Sequence, residues 1–367
     1  MNELKRDYKQ SVTTGSLATA TSLAGLEAII KSPDIHNVEI KTPTETLTIF
    51  IKNCQKISDT EGQSTAIKYP YDDPDVTVNI EITSTVKLID KTDLDSENVI
   101  IHGGKGVGII TKKGLQVPVN SPAINPIPQK MIKKNLEKLV PKGKVAHVTI
   151  SIPKGEEIAH KTMNPRLGIV NGISILGTTG IARSMSSKAY KDSLLCQLDI
   201  AQGESFKDLV FVPGNIGEKI ALNILDIEKD QIIQMTNFVG FMLNAAEERG
   251  IKEITLVGHI GKLVKVAGGI FNTKHSVADG RKEIFAAHSS LCGAEQSIIK
   301  EIFESKTTEE ILTILKRVNL DKKVLNSIAS GIKSQIYDRF QIKTNVILVD
   351  MESNILNSNY TIEHLKK

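Results

Sequence analysis

Tryptophan is absent from the 367 residues and aromatics make up only 4% of them, so few flat side chains exist on which single-stranded bases could stack. Charge of one sign is equally scarce: the net charge is +4, with no solid block of like charges. No nucleic-acid partner is expected, while a mild basic excess suits a small polyanionic substrate. Cysteine is limited to Cys54, Cys196 and Cys292, with no Cys-x-x-Cys pair and no His at ligand spacing. That argues against a zinc site or a disulfide framework and fits a reducing compartment. Long apolar runs are missing too: Met1 to Gly15 is polar, and nothing later approaches the ~18 apolar residues of a membrane span. A cytoplasmic protein without a membrane partner is the expectation.

What is present reads as globular. Apolar residues make up 40% and charged residues 24%, and the length exceeds that of one ordinary core, so two domains are expected. Thr13-Thr14-Gly15-Ser16 precedes an Ala/Leu-rich helix reaching Lys31. Val38–Ile40, Leu47–Ile51 and Val76–Leu88 alternate like strands, interrupted by the turn Asp72-Asp73-Pro74-Asp75. Pro126 and Pro128 open a Lys-rich helix reaching about Val140. From Lys144 the pattern becomes short apolar runs ending in glycine, each followed by a helical segment, the mark of βα units. Asn237 to Arg249 carries Phe238, Phe241, Met242 and Ala245 at helical spacing ahead of Gly250. Beyond Ser276 the chain turns mostly helical, with a capping box at Thr307-Thr308-Glu309-Glu310, before a last strand at Asn345–Val349. A domain boundary is placed between Ser184 and Asp192.

Three joints look alike: Gly177-Thr178-Thr179-Gly180, Gly214-Asn215-Ile216-Gly217 and Gly258-His259-Ile260-Gly261. Glycine at a strand's carboxyl end lets backbone approach a ligand while the next helix offers N–H groups; the plainer reading is simple turns. Neither these nor His102-Gly103-Gly104-Lys105-Gly106-Val107-Gly108 has the dinucleotide-binding spacing. The latter cluster reads equally as a bulged hairpin or a substrate loop. Asp72, Asp73 and Asp75 read as a solvated turn, or as carboxylates that orient a cation or ribose hydroxyls. His259 and His275 are loop histidines by default, set among Lys262, Lys265, Asn272, Lys274, Asp279 and Arg281.

Together these segments resemble the cobalt-precorrin-5B (C1)-methyltransferase family of anaerobic cobalamin biosynthesis, the CbiD proteins. The resemblance runs in order through Thr13-Thr14-Gly15, Asp72 to Thr77, Gly103 to Gly108, Pro122 to Pro128, Pro153 to Glu157, Asn164 to Ile169 and Gly172 to Gly180. It continues through Pro213-Gly214-Asn215, Asn237 to Gly240, Gly258 to Lys265 and Phe271-Asn272-Thr273. The family's Thr-Cys-Ala is replaced by Ser16-Leu17-Ala18, and its Lys-Asp-Ala-Gly by Lys68-Tyr69-Pro70-Tyr71. The tail after about Thr307 does not enter the resemblance.

The resemblance implies an α/β protein of two domains: an α+β domain over residues 1–187, and a Rossmann-like three-layer α/β/α domain over 188–367 with a helical C-terminal segment. It implies S-adenosylmethionine as methyl donor, and methylation of C1 of cobalt-precorrin-5B to give cobalt-precorrin-6A. The expected partner is a tetrapyrrole; a homo-oligomer stays open, and cobalt belongs to the substrate, with no protein-bound metal. Asp72, Asp73, Asp75 and His259 are the catalytic candidates. Arg166, Arg183, Lys262, Lys265 and Asn272 are those for substrate. The glycine joints, with Thr178, Thr179 and Asn215, are those for cofactor. The rival readings are a nucleotide-dependent oxidoreductase and a tetrapyrrole-binding scaffold without chemistry.

Overall fold

A computed structural model of the chain describes residues 10–31, 33–71, 75–92, 97–183 and 187–361. These fall into two compact units, Met1–Tyr190 and Lys191–Lys367.

The first unit begins with strand β1 (Gln10–Val12) and helix α1 (Thr14–Ile30), then strands β2 (Asn37–Lys41), β3 (Thr46–Phe50), β4 (Asn53–Ser58), β5 (Glu61–Ile67), β6 (Glu81–Asp90) and β7 (Val99–Gly103). Short strands β8 (Gly106–Val107) and β9 (Ile109–Ile110) lead to helix α2 (Pro126–Leu136), strand β10 (Lys144–Ser151) and helix α3 (Gly155–Ala159). Strands β11 (Ile169–Val170), β12 (Gly172–Ile173) and β13 (Ile181–Arg183) complete it. The main sheet has five strands in the order β4-β5-β6-β10-β7, antiparallel except for the β10–β7 pair. Along β6, Ile82, Ser84, Val86 and Leu88 are buried while Thr83, Thr85 and Lys87 are more open, so the sheet has one core face and one polar face.

Helix α1 lies on the core face against β4, β5 and β6, with α2 beside it. It has almost no polar side: Leu17, Ala18, Ala20, Leu23, Ala24 and Leu26 are buried, and so are Ser16, Thr19, Thr21 and Ser22. A helix enclosed on all sides must satisfy its own hydroxyls, and it does so by bonding back one turn: Thr19 to Gly15 O (2.8 Å) and Ser22 to Ala18 O (2.6 Å). Gly25 and Gly62 set the approach of helix to strand, since a Cβ on Gly62 would fall on the Gly25 carbonyl.

Helix α4 (Ser187–Gly203) leads into the second unit. There follow β14 (Val210–Val212), α5 (Asn215–Ile224), β15 (Ile232–Gln234), α6 (Val239–Glu248), β16 (Glu253–His259) and α7 (Ile260–Ala267). Four more helices, α8 (Arg281–Leu291), α9 (Gln296–Glu304), α10 (Thr308–Arg317) and α11 (Asp321–Phe340), precede β17 (Lys343–Val349). The sheet is parallel throughout in the order β15-β14-β16-β17. Val210, Val212, Ile220, Ala221, Ile232, Val257 and Ile347 form a core cluster between this sheet and α5. Both arms of the capping box expected at Thr307 and Glu310 are present, and Gly250 follows α6 with φ +76°.

Three expectations need correction. The strand expected from Val76 starts at Glu81, because Asp75 and Thr77 close a turn on each other (Thr77 N–H to Asp75 Oδ1, 2.8 Å). The βα pattern read from Lys144 onward holds only from Val210: β10 instead joins the mixed sheet of the first unit. Gly177–Gly180 is followed by β13, which pairs with β1, so it is not a strand–glycine–helix joint.

Candidate functional site

In the second unit the chain leaves β14 for β15 on one side and returns to β16 on the other. Helices α5 and α7 therefore start on either side of a switch point at the carboxyl ends of β14 and β16, the place where open parallel sheets form ligand crevices. Gly214, Gly217, Gly258 and Gly261 all lie here, and their roles differ. A Cβ on Gly258 would sit 2.7 Å from the Pro213 ring, and one on Gly217 would reach 3.0 Å from the Val257 carbonyl, so these two permit close packing. A Cβ at Gly214 would meet nothing within 4 Å: open space lies in front of it. Lys262 reaches across from α7, its Nζ donating to Pro213 O (3.2 Å). Burial, with Lys265 as a like-charged neighbour, pulls the Lys262 ammonium below its ordinary pKa, so an arriving anion would be welcome there.

Helix α5 has Gly214 at its N-cap and α6 has Phe238, and neither N-terminus receives a side-chain cap. The first-turn N–H groups of α5 are donors a carboxylate could use, whereas at α6 the Gly240 N–H already donates to Phe271 O (3.0 Å). The N-terminus of α7 differs, because His259 caps it: His259 Nδ1 accepts from Gly261 N–H (3.1 Å). His259 Nε2 is buried, 3.3 Å from Glu309 Oε1 but not aligned as a hydrogen bond.

Sequence reading missed three residues at this edge. Gln234 ends β15, about where doubly wound folds place the residue that binds a ribose. Its amide donates to Asn215 Oδ1 (2.9 Å) and to the buried Glu218 carboxylate. Two residues on, Thr236 has φ +54°, rare for a β-branched residue, and its buried hydroxyl has no hydrogen-bond partner. Neither glycine spacing nor periodicity marks Gln234, Glu218 or Thr236, since what brings them together is where β15 ends beside β14. The one usable signal was distance along the chain, about 20 residues from Gly214 to Gln234.

Lys265 and Asn272 face inward or serve their own loop. Lys265 is 3% exposed, with Nζ donating to Ala278 O (2.8 Å) and Thr273 O (3.4 Å), so as an open substrate anchor it is corrected to an internal strut. Burial lowers its pKa, while Asp279 at 3.9 Å opposes that. Asp279 in turn is held well below the carboxylate range, chiefly by Arg281, which grips it with Nε at 2.8 Å and Nη2 at 2.6 Å. Asn272 Oδ1 accepts from Lys274 N–H (3.2 Å).

In the first unit, Asp72 and Asp73 lie outside the described residues. Asp75 is described, and its carboxylate is fully engaged: Lys68 Nζ at 2.5 Å, Tyr71 OH at 3.0 Å, and Thr77 through N–H and Oγ1. Burial pushes its pKa up, yet the bonds and charge from Lys68 and Thr77 outweigh that and leave it at about 2. Asp75 is thus an ionised brace for the turn, its carboxylate committed to Lys68, Tyr71 and Thr77.

The Gly177–Gly180 loop is laced to the N-terminus of α1. Gly15 N–H donates to Leu176 O (3.0 Å), Thr13 N–H to Gly180 O (3.1 Å) and Ser16 Oγ to Gly180 O (2.6 Å). Gly177 and Gly180 have φ of +139° and +93° and face the Thr13 and Thr42 side chains. Thr178 and Thr179 are exposed. Arg183 is in β13, and the Arg166 carbonyl accepts from Lys112 Nζ (3.4 Å).

The cluster around Gly104 is neither a bulged hairpin nor an open loop. It is a crossing of three backbones: β8 runs parallel to β12, and a Cβ on Gly106 would fall on the Ile152 carbonyl, while one on Gly155 or Gly172 would fall on the Gly106 carbonyl.

A parallel sheet whose strand order reverses between β14 and β16, with the start of α5 uncapped at that switch point, defines an α/β unit of the open-sheet class. Comparison with known proteins narrows the class. A family model described as CbiD matches residues 1–184, and one described as CbiD, C-terminal domain, matches 272–360. The chain is 58% identical to the cobalt-precorrin-5B C(1)-methyltransferase of Methanobrevibacter smithii, over 95% of this chain and 96% of the relative. Identity to the protein of the same name from Methanosphaera stadtmanae is 48%, covering 96% and 92%. A crystal structure of the cobalamin biosynthesis protein CbiD from Archaeoglobus fulgidus is 24% identical over 75% of this chain and 84% of that one, with a TM-score of 0.37. The chain belongs to the CbiD family, and the match through residue 360 brings the tail after Thr307 into it.

Proposed function

We propose that this protein transfers a methyl group from S-adenosylmethionine to C1 of cobalt-precorrin-5B, the reaction for which its relatives are named. The observation that carries the reading is the 58% identity that extends over 95% of the chain. We read the second unit as Rossmann-like and assign the methyl donor to its switch point. The residues fit such a ligand: the uncapped start of α5 suits a carboxylate, the space before Gly214 admits a close backbone approach, and Gln234 with Glu218 suits ribose hydroxyls. The orphan hydroxyl of Thr236 gains a partner when the site fills.

The donor supplies an electrophilic methyl on a sulfonium. The new C–C bond takes its electron pair from the macrocycle, and the C–S bond breaks with its pair staying on sulfur. The chain's task is alignment at about 3–3.5 Å and exclusion of water, which explains why no nucleophilic triad is needed. Lys262 is the cation assigned to a substrate carboxylate. His259 fixes the start of α7 through its cap and so positions Lys262.

Calorimetric titration with S-adenosylmethionine, S-adenosylhomocysteine and NADP tests the assignment. Binding of the first two, weakened about tenfold by Gln234→Ala, is expected. Binding of NADP alone would replace it with the oxidoreductase reading.

A further inference from the structure

Two histidines that no step above uses stand together on the polar face of the first unit's sheet. His102 lies on β7 and His147 on the neighbouring β10. His102 Nε2 is 3.0 Å from His147 Nδ1, with ring planes 9° apart and centroids at 5.3 Å. Helix α1 occupies the opposite face, and His102 is exposed. The surroundings are Thr149, paired with His102, and Lys87, paired with His147.

A hydrogen bond between neutral imidazoles fixes where the remaining lone pair falls. One ring donates its N–H, so its other nitrogen must carry a lone pair; the accepting ring must carry its hydrogen on its other nitrogen. A ring that donates from one nitrogen and offers a lone pair at the other is the arrangement of a metal-ligating histidine, whose second partner sets its orientation and raises its basicity. With His147 donating from Nδ1, the ligand is His147 Nε2, at the ring tip. The reverse tautomer puts the lone pair on His102 Nδ1, beside its own Cβ, where a bulky ligand is obstructed.

One nitrogen cannot cage a free ion, and among the described residues no three His, Cys, Asp or Glu groups gather to hold one. A metal whose equatorial positions are already filled by a macrocycle needs just one more donor. The geometry points to His147 Nε2 as an axial ligand for the cobalt of the tetrapyrrole substrate, with His102 as the positioning residue behind it. This rests on the reading under Proposed function. Lys87, exposed on β6, and Lys105, exposed in the connection after β7, supply cations for peripheral carboxylates.

The test is anaerobic EPR of the full chain with cob(II)yrinic acid, a cobalt corrin with free carboxylates and no nitrogenous base. Each resolved cobalt line of the bound corrin is expected to split into three through one nitrogen nucleus. His147→Ala should abolish the triplet. His102→Ala should keep it while weakening binding about 10–100-fold, and His102→Gln, whose amide oxygen still accepts, should recover most of that loss. A wild-type protein that fails to bind the corrin, or binds it without the triplet, overturns the proposal, as does a triplet that survives in His147→Ala. Methyl transfer assayed on the same preparation separates the two readings: transfer without the triplet removes the ligation alone, and the triplet without transfer removes the reaction alone.

Discussion

The carboxylate of Asp75 is the residue for which electrostatics makes the sharpest statement. Its folded pKa of about 2 lies below the ordinary 3.8, so its stabilisation is fully present above pH ~4 and is lost as pH falls through about 2. A difference of nearly two units corresponds to about 2 kcal/mol. Asp75→Asn removes this and leaves the buried Lys68 ammonium without its counter-charge, so urea unfolding at neutral pH should show a loss of about 3 kcal/mol. An unchanged midpoint would mean the turn does not depend on the pair. At the other end of the molecule's chemistry, Lys262→Met should raise the KM for the corrin at least about tenfold with kcat less affected, because a carboxylate contact is lost. An unchanged KM in Lys262→Met would remove Lys262 from the substrate site.

Elements were legible where one rule decided them. The helix at Thr14–Ile30, the proline-led α2, the helix before Gly250 and the capping box at Thr307 rest on local signals and all form, although α2 ends at Leu136, about a turn before the Val140 expected. What was not legible depends on non-local pairing. The run Ile173–Leu176 ends in glycine like Ile254–Val257, yet the first leads to a loop stapled on α1 and the second to α7. Nothing in either stretch states that Thr13, some 160 residues earlier, will supply the partner. The glycines of the His102–Gly108 cluster likewise looked like turn residues, because the carbonyls they accommodate come from Ile150, Ile152 and Gly172, 40 or more residues along the chain. This gives a paired prediction. Gly106→Ala, with φ +75° and a Cβ on the Ile152 carbonyl, should cost about 3 kcal/mol or more. Gly143→Ala has a similar φ of +78° but open space, so only the backbone term of about 1 kcal/mol applies. Equal losses in the two variants, read from denaturant midpoints, would contradict the crossing.

For the whole molecule, the candidate site was legible in part. The glycine joints at Gly214 and Gly258 come together as expected, while Gln234, Glu218, Thr236 and the His102–His147 pair needed strand order to be seen. Among the described residues no helix is long and apolar enough to cross a membrane. The central claim is methyl transfer to one carbon of one macrocycle. It is tested most directly by anaerobic incubation with methyl-labelled S-adenosylmethionine and cobalt-precorrin-5B, followed by mass spectrometry and NMR of the corrin. One added label at C1 is the predicted result. Unlabelled corrin, or label at another carbon, in the presence of authentic substrate and a working control enzyme would contradict it.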